Sequence, residues 1–276
     1  KFIKDLNFNK EFIYRSTTLV VEAIISVWLV LSFASPISLV WGMIAGAVYE
    51  VILSYIMARP FPKFEFRKSL FVEVVGKGKW LTATGIFSYM YQNTDNLVVG
   101  KILGAGSLGL YDYVYKISML PITEISDVIS RVSFPVFVKI SNDIVRLQRA
   151  YIRTVILTLI FALPIGIVFF LFPKTILIVL LGQQWIGGED VLKILVILGI
   201  IRALSNSVLA PFYALEKQKY VTRITFVSLI GLAITVVPFV QQWGLVGAGY
   251  AALVGSLLSV PLILYYLNQI LGEKGA

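Results

Sequence analysis

The 276-residue chain is 58% hydrophobic and only 14% charged, against about 25% charged residues in a soluble domain. So little polar surface cannot cover a soluble fold, and the composition points to an integral membrane protein. A net charge of +9 would suggest nucleic acid on a soluble protein. Here the basic residues lie between apolar segments, which argues for membrane topology and against a nucleic-acid partner. Cysteine and histidine are both absent, which excludes disulfides, thiol chemistry, a histidine general base and a Cys/His metal site. The chain opens on KFIKDLNFNKEF, without Met, and enters a full-length apolar segment rather than a signal peptide's short apolar stretch and cleavage site. The expectation is a fragment of a longer protein.

Eight apolar segments read as membrane helices: 13–34, 37–58, 80–102, 110–136, 151–172, 189–212, 221–240 and 245–267. Each has roughly the 20 residues that cross about 30 Å of hydrocarbon, which makes the fold all-α. The fourth is long and has Pro121 as a place to bend; Pro164 and Pro238 lie in or near other helices, where neighbours satisfy the freed carbonyls. With residues 1–12 in the cytoplasm, that side also holds the connections 59–79, 137–150 and 213–220 and the C-terminal tail. Together with adjoining helix ends these carry 18 of the 24 basic residues, whereas only Lys101 and Lys174 fall clearly in the opposite connections. The bias alternates over every crossing, as the positive-inside rule requires, and places both ends of the chain in the cytoplasm of a multi-pass cell-membrane protein.

The connection 59–79 contains RPFPKFEFRKSL. It reads as a linker with anchors at the headgroup level, its part from Lys68 to Lys79 forming a short interfacial helix. Two helices precede it and six follow, so it also reads as a junction between two bundle halves. LLGQQWIGGED at 180–190 is the main outward loop, with Trp185 as interfacial anchor and Glu189 and Asp190 opening the sixth helix, where acids suit the dipole. Helices seven and eight carry small residues, among them Gly231, Gly244, Gly247 and Gly255, which permit close packing.

Polar residues inside the apolar segments are the candidate site. Glu22 in the first helix must pair or line a cavity. The stretch YMYQNTDNLVVGKILGAGSLG, 89–109, sets Gln92, Asn93, Asp95 and Asn96 within five residues and then reverses at a turn of Gly104, Gly106 and Gly109. Its polar stripe serves an interhelical hydrogen-bond network, with Asp95 held by a neighbouring Lys or Arg, or else a substrate or cation. In the fourth helix Glu124, Asp127 and Arg131 recur at three and four, and Asp127 and Arg131 form an i,i+4 pair. Arg202 lies mid-helix before Ser205, Asn206 and Ser207 and needs an anion, an acidic partner such as Asp95 or Glu124, or a water-filled cavity. With Lys116 and Arg131 it makes an inner cavity cationic, suited to phosphate and diphosphate. No phosphate loop, HExxH or GxSxG appears, so no enzyme chemistry or cofactor is expected, and no ATPase domain is present.

YQNTDNLVVGKILGAGSLGLYDYVYKISMLP, followed by RVSFPVFVKI, resembles the oligosaccharide-lipid flippase family of polysaccharide export. That family lies within the multidrug, oligosaccharidyl-lipid and polysaccharide exporter superfamily. The resemblance rests on Tyr91, Asn93, Asp95, Asn96, Gly100, Leu103, Gly104, Leu108, Gly109, Tyr111, Phe134 and Pro135, with LLGQQWIGG and the opening DLNF in support. It implies the C-terminal two thirds of a 12-helix, two-lobe transporter. Residues 1–79 would close the N-terminal lobe with two transmembrane helices and the cytoplasmic inter-lobe linker, and 80–276 would form the six-helix C-terminal lobe. The implied function is flipping of a polyprenyl-diphosphate-linked oligosaccharide, among membrane lipids and alongside a polysaccharide polymerase or export machinery. Arg202, Lys116 and Arg131 would then bind phosphate, and Gln92, Asn93, Asn96 and Asn206 would meet sugar hydroxyls. Asp95, Glu124, Asp127 and Glu22 would hold charge pairs or couple protons or sodium. The alternatives are a multidrug or small-solute exporter of the same fold, and a membrane glycosyltransferase or polysaccharide-assembly protein.

Overall fold

The computed structural model of the chain describes residues 8–57 and 68–272. All regular structure in them is helical, and the chain divides into two compact units, 1–68 and 69–276. In the first unit α1 (Phe8–Phe33) and α2 (Ile37–Met57) pair through small residues. Gly42 and Gly46 stand four apart on one face of α2. A Cβ on Gly42 would lie 2.0 Å from Ser26 Oγ, and one on Gly46 would lie 2.8 Å from Glu22 Cβ. The missing side chains are what let the helices approach, since apolar helices in lipid gain most from close packing. The outer faces of both helices are apolar and exposed, as at Leu19, Trp28 and Leu31, a surface suited to hydrocarbon.

The second unit holds α3 (Lys68–Lys139), α4 (Ile144–Leu171), α5 (Pro173–Leu180), a 3₁₀ turn (Gln183–Gly188), α6 (Glu189–Ala214) and α7 (Gln218–Gly272). Among the described residues six helices are long and apolar enough to cross a membrane, which makes this a multi-spanning membrane protein. Two of the six fold back on themselves. Asp95 and Tyr111 are hydrogen-bonded at 2.9 Å, yet residues sixteen apart in a straight helix would be about 24 Å apart. The reversal is at Gly104, where φ is 85° and ψ 173°, a conformation essentially restricted to glycine. In α7 a Cβ on Gly231 would lie 3.0 Å from Gly255 Cα, so this helix also doubles back, at Gly244 (φ 59°, ψ −133°).

Three local readings change. Gly104 alone takes the turn conformation, while Gly106 and Gly109 lie inside the resumed helix. Residues 68–79 are not a separate interfacial helix but run without interruption into 80–103. Those before Lys68, from 58, lie outside the described residues. Within 180–190, read as a loop, residues Gln183–Gly188 form a tight 3₁₀ turn; it lets Gly188 pack against Val114 and Tyr113 meet Trp185 edge-on. Glu189 and Asp190 do open α6.

α6 is the middle of this unit. Gly199 sits against Met119 and Ile122 of α3, Ile194 against Gly249 of α7, and Ile200 against Gly166 of α4. Leu192, Leu195 and Leu198 are fully buried with Val99, Tyr111, Val114 and Leu232. A helix so enclosed has no freedom to rotate, so its polar residues take the directions that packing allows.

Candidate functional site

Inside the second unit lies a cavity of about 810 Å³, walled by both arms of α3, by α6 and by both arms of α7. That is within the range of small-molecule pockets, roughly 300–1,000 Å³. The lining follows helical periodicity. Thr84, Ser88, Tyr91 and Gln92 descend one face of the first arm of α3, and Arg202, Ser205, Asn206 and Tyr213 one face of α6.

Arg202 is held by two tyrosines. Its Nη1 donates to the Tyr115 hydroxyl. Its guanidinium carbon lies 4.7 Å from the centre of the Tyr91 ring and 5.7 Å from that of Tyr115, positions in which the ring faces attract a cation. Tyr91 is itself fixed, with its hydroxyl 2.9 Å from the Ala252 carbonyl oxygen, to which it donates, and 2.8 Å from Ser256 Oγ. The remaining donors of Arg202, Nε and Nη2, are buried without a protein partner. They form one edge of the planar guanidinium, the fork that meets two oxygens of a carboxylate or phosphate at once. An unsatisfied buried donor is costly, and here two lie side by side on a residue of the cavity wall.

Asp95 is fully buried one turn beyond Tyr91 and is absent from the lining. Its Oδ2 accepts from the Tyr111 hydroxyl and its Oδ1 from the Asn96 backbone N–H, each at 2.9 Å. No Lys or Arg makes an ion pair with it among the described residues: its hydrogen-bond partner is a tyrosine across the Gly104 reversal, and Arg202, the basic residue that acts on it, does so from beyond ion-pair distance. Asn93 turns its amide onto the Tyr89 carbonyl at 2.7 Å, and Asn96 Oδ1 is buried without a partner. Neither side chain lines the cavity.

Gln92, Asn206, Lys116, Arg131 and Asp127 do line it. Lys116 is tethered to Asp112 at 2.6 Å, an acid the sequence reading passed over. Asp127 and Arg131 share the wall but form no ion pair with one another, contrary to their i,i+4 spacing; in an open cavity both heads have room to separate. Glu124 is not in the lining, and Glu22 belongs to the other unit, against Gly46. Sequence reasoning gave Tyr115 no role and missed the hydroxyls of Thr84, Ser88, Thr123, Ser130 and Thr225. Their signal was there: Ser and Thr recurring at three and four on segments otherwise apolar. No cluster of three metal-ligating side chains occurs among the described residues.

The profile of a family described as "Polysaccharide biosynthesis protein" matches residues 1–189. The chain is 27% identical over 171 residues to the lipopolysaccharide biosynthesis protein WzxC of Escherichia coli (strain K12), covering 62% of this chain and 32% of that protein. It superposes on an inward-facing multidrug resistance MATE family transporter of the MOP superfamily with a TM-score of 0.74, at 14% identity, covering 94% of this chain and 65% of the other. It superposes on lipid II flippase MurJ, in an inward closed conformation, with a TM-score of 0.73, at 17% identity, covering 95% of this chain and 58% of the other. At these identities the superpositions speak for the fold. The chain spans between 32% and 54% of the length of the curated relatives it matches.

Proposed function

Because the chain belongs to the polysaccharide biosynthesis protein family, we propose that it serves to flip a polyprenyl-diphosphate-linked oligosaccharide from the cytoplasmic to the outer leaflet of the cell membrane. The observation that carries this reading is the unpartnered Nε–Nη2 edge of Arg202 on the wall of an 810 Å³ cavity. A phosphate offers the pair of oxygens that edge lacks, and Arg131, lining the same cavity from α3, adds positive charge. Gln92, Asn206 and the Ser/Thr hydroxyls supply donors and acceptors for sugar, while the prenyl tail stays in lipid. Nothing in this scheme makes or breaks a covalent bond. Its name supports the reading as well, for the MurJ structure is that of a lipid II flippase.

In this scheme the two arms of α3 and the two of α7 each cross the bilayer. With α1, α2, α4 and α6 that makes eight crossings, the fifth to twelfth of a two-lobe transporter, with both ends cytoplasmic. Residues 1–79 then close the N-terminal lobe and 80–276 form the C-terminal one. Asp127, facing the cavity, and Asp95, behind it, are the groups through which a proton or sodium gradient would act. A small-solute exporter of the same fold would favour an acidic aromatic cavity. Here, with Lys116 neutralised by Asp112, Arg131 and Arg202 line the cavity against the one carboxylate of Asp127, and that balance favours an anionic cargo.

The test is leaflet-resolved transport of a fluorescent polyprenyl-diphosphate oligosaccharide by the reconstituted protein. Arg202→Ala should slow movement at least ~10-fold, the equivalent of one lost charged hydrogen bond. Arg202→Lys should fail to restore it, because an ammonium has no two-pronged edge. Undiminished transport in both variants would remove Arg202 from the site. Chemically altered lipid in the product would point to a glycosyltransferase instead.

A further inference from the structure

The end of the second unit away from the Gly104 and Gly244 reversals carries a feature that the cavity does not use. Trp80, on the first arm of α3, has two ammonium groups against its indole. Lys79 Nζ lies 5.7 Å from the ring centre and Lys219 Nζ 5.5 Å. One lysine is its neighbour in the chain and the other comes from the first turn of α7. The convergence is built in. The Thr222 hydroxyl lies 2.9 Å from the Trp80 carbonyl oxygen and 2.7 Å from the Thr84 hydroxyl, and both threonines are buried. These bonds clamp the turn that bears Trp80 to the turn that bears Lys219.

Among the described residues no ion pair compensates the charges at this place. Lys217 and Lys219 are exposed at the start of α7, whose first turn holds no acid. Cations there oppose the helix dipole, and like charges around one ring repel. Between 212 and 223 the one carboxylate is Glu216. The ion pairs of the described residues are made by Asp112, Asp143 and Asp190, so neither Lys79 nor Lys219 has one. Arg223 is turned aside to the Tyr266 hydroxyl at 3.1 Å. A local arrangement that breaks electrostatic preference without an internal remedy is the mark of a functional position, and the remedy is an external anion.

We propose that Lys79, Trp80 and Lys219 form a binding site for the phosphate of an anionic phospholipid. Lys79 and Trp80 stand where the apolar run that opens at 80 begins, and Lys219 two residues before the run that opens at 221, so the site lies at the border between polar and apolar sequence, the depth at which phosphates are found. Tryptophan prefers that depth, and each lysine close to an anionic leaflet adds attraction. Leu81, next in the chain, is 57% exposed and apolar, a surface for the acyl chain. The site is separate from Arg202: Tyr91 lies eleven residues further along the same arm, about 16 Å away. Bilayer phospholipid is also in vast excess over any lipid-linked glycan, so it is the resident occupant.

The experiment measures lipid retention without cargo, so it stands whether or not the transport reading does. The detergent-purified protein is delipidated, exposed to mixed phosphatidylcholine and phosphatidylglycerol, exchanged, and weighed by native mass spectrometry. Wild type should retain phosphatidylglycerol over phosphatidylcholine. The double variant Lys79→Gln, Lys219→Gln should bind it roughly 30-fold more weakly, at about a factor of five for each lysine near anionic lipid. Trp80→Leu should weaken it as well, and Lys174→Gln, at the opposite end, should not. Equal retention of both lipids by wild type would overturn the proposal, as would full retention by the double variant. If that variant kept its phospholipid but lost transport, the two lysines would belong to the cargo's diphosphate, and the phospholipid assignment would fall.

Discussion

Tyr111 and Tyr115 show how single side chains give charged residues a place in hydrocarbon. Each stands as far beyond Leu103 as its counterpart stands before it: Tyr111 answers Asp95, and Tyr115 joins Tyr91 around Arg202. The two tyrosine rings also touch, with centres 6.1 Å apart, so carboxylate and guanidinium are joined by aromatic groups rather than by an ion pair. Tyr111→Phe keeps the ring and removes one hydroxyl. Asp95 Oδ2, wholly buried, then loses the hydrogen bond it has. The expected cost is about 1–3 kcal/mol, read as a lower midpoint in denaturant unfolding of the reconstituted protein; Tyr113→Phe, whose side chain is exposed, should leave the midpoint in place. An unchanged midpoint for Tyr111→Phe would mean that the Asp95–Tyr111 bond contributes nothing. Arg202 was legible in the sequence because a charge within an apolar run demands a reason. Its tyrosine partners were not, because aromatic residues in a membrane helix are commonplace, and only the register across the reversal brings these ones together.

At the scale of elements, most apolar segments were readable to within a few residues, since hydrocarbon imposes both length and composition, but the helix expected from 80 starts at Lys68 and the one expected from 151 starts at Ile144. The same physics hid the details of the connections. GAGSLG reads as a loop, yet one residue makes the reversal and the rest is helix. Gly104, at φ 85°, is therefore unlike its neighbours, and substitution separates them. Gly104→Ala places a Cβ in a region that L-residues avoid, at about 1–3 kcal/mol. Gly106→Ala has open space around its Cβ and ordinary helical backbone, so it should be neutral or stabilising by roughly 0.5–1 kcal/mol. Thermal unfolding in detergent checks the pair. Equal losses for both would show that the turn needs flexibility along its length rather than one glycine. The cavity wall divides in the same way. Positions 84, 88, 91 and 92 share a face by period alone, and that was available from sequence. Asn93 and Asn96 lie off that face, so their polarity advertised a site they do not enter.

For the whole molecule, the decisive quantity is how often the chain crosses the bilayer. Six helices satisfy length and apolarity, and the reversals at Gly104 and Gly244 turn six into eight if every arm spans. Both readings put residues 142 and 217 on one side and 184 on the other, so those positions do not separate them. Residues 105 and 242 do. With eight crossings they lie at the membrane surface on the side of 184; if the arms stop short of it, they lie within the membrane. The natural absence of cysteine makes the measurement direct, because any thiol introduced is the sole target of a membrane-impermeant maleimide. Ala105, Asn142, Gln184, Lys217 and Gln242 are all exposed, so Ala105→Cys, Asn142→Cys, Gln184→Cys, Lys217→Cys and Gln242→Cys should each leave the packing intact. In right-side-out vesicles the thiols at 105, 184 and 242 should react, and those at 142 and 217 only after permeabilisation. That pattern sets Lys139, Arg146, Arg149, Lys217 and Lys219 on the cytoplasmic side, as their charge requires. Silence at 105 and 242 even after permeabilisation would mean that the two reversals do not reach the far surface, and would leave the walls of the cavity without two faces of the bilayer to connect. Labelling at 142 and 217 from outside, with 105, 184 and 242 reacting only after permeabilisation, would keep the eight crossings and invert the orientation, which would reverse the direction proposed for the cargo.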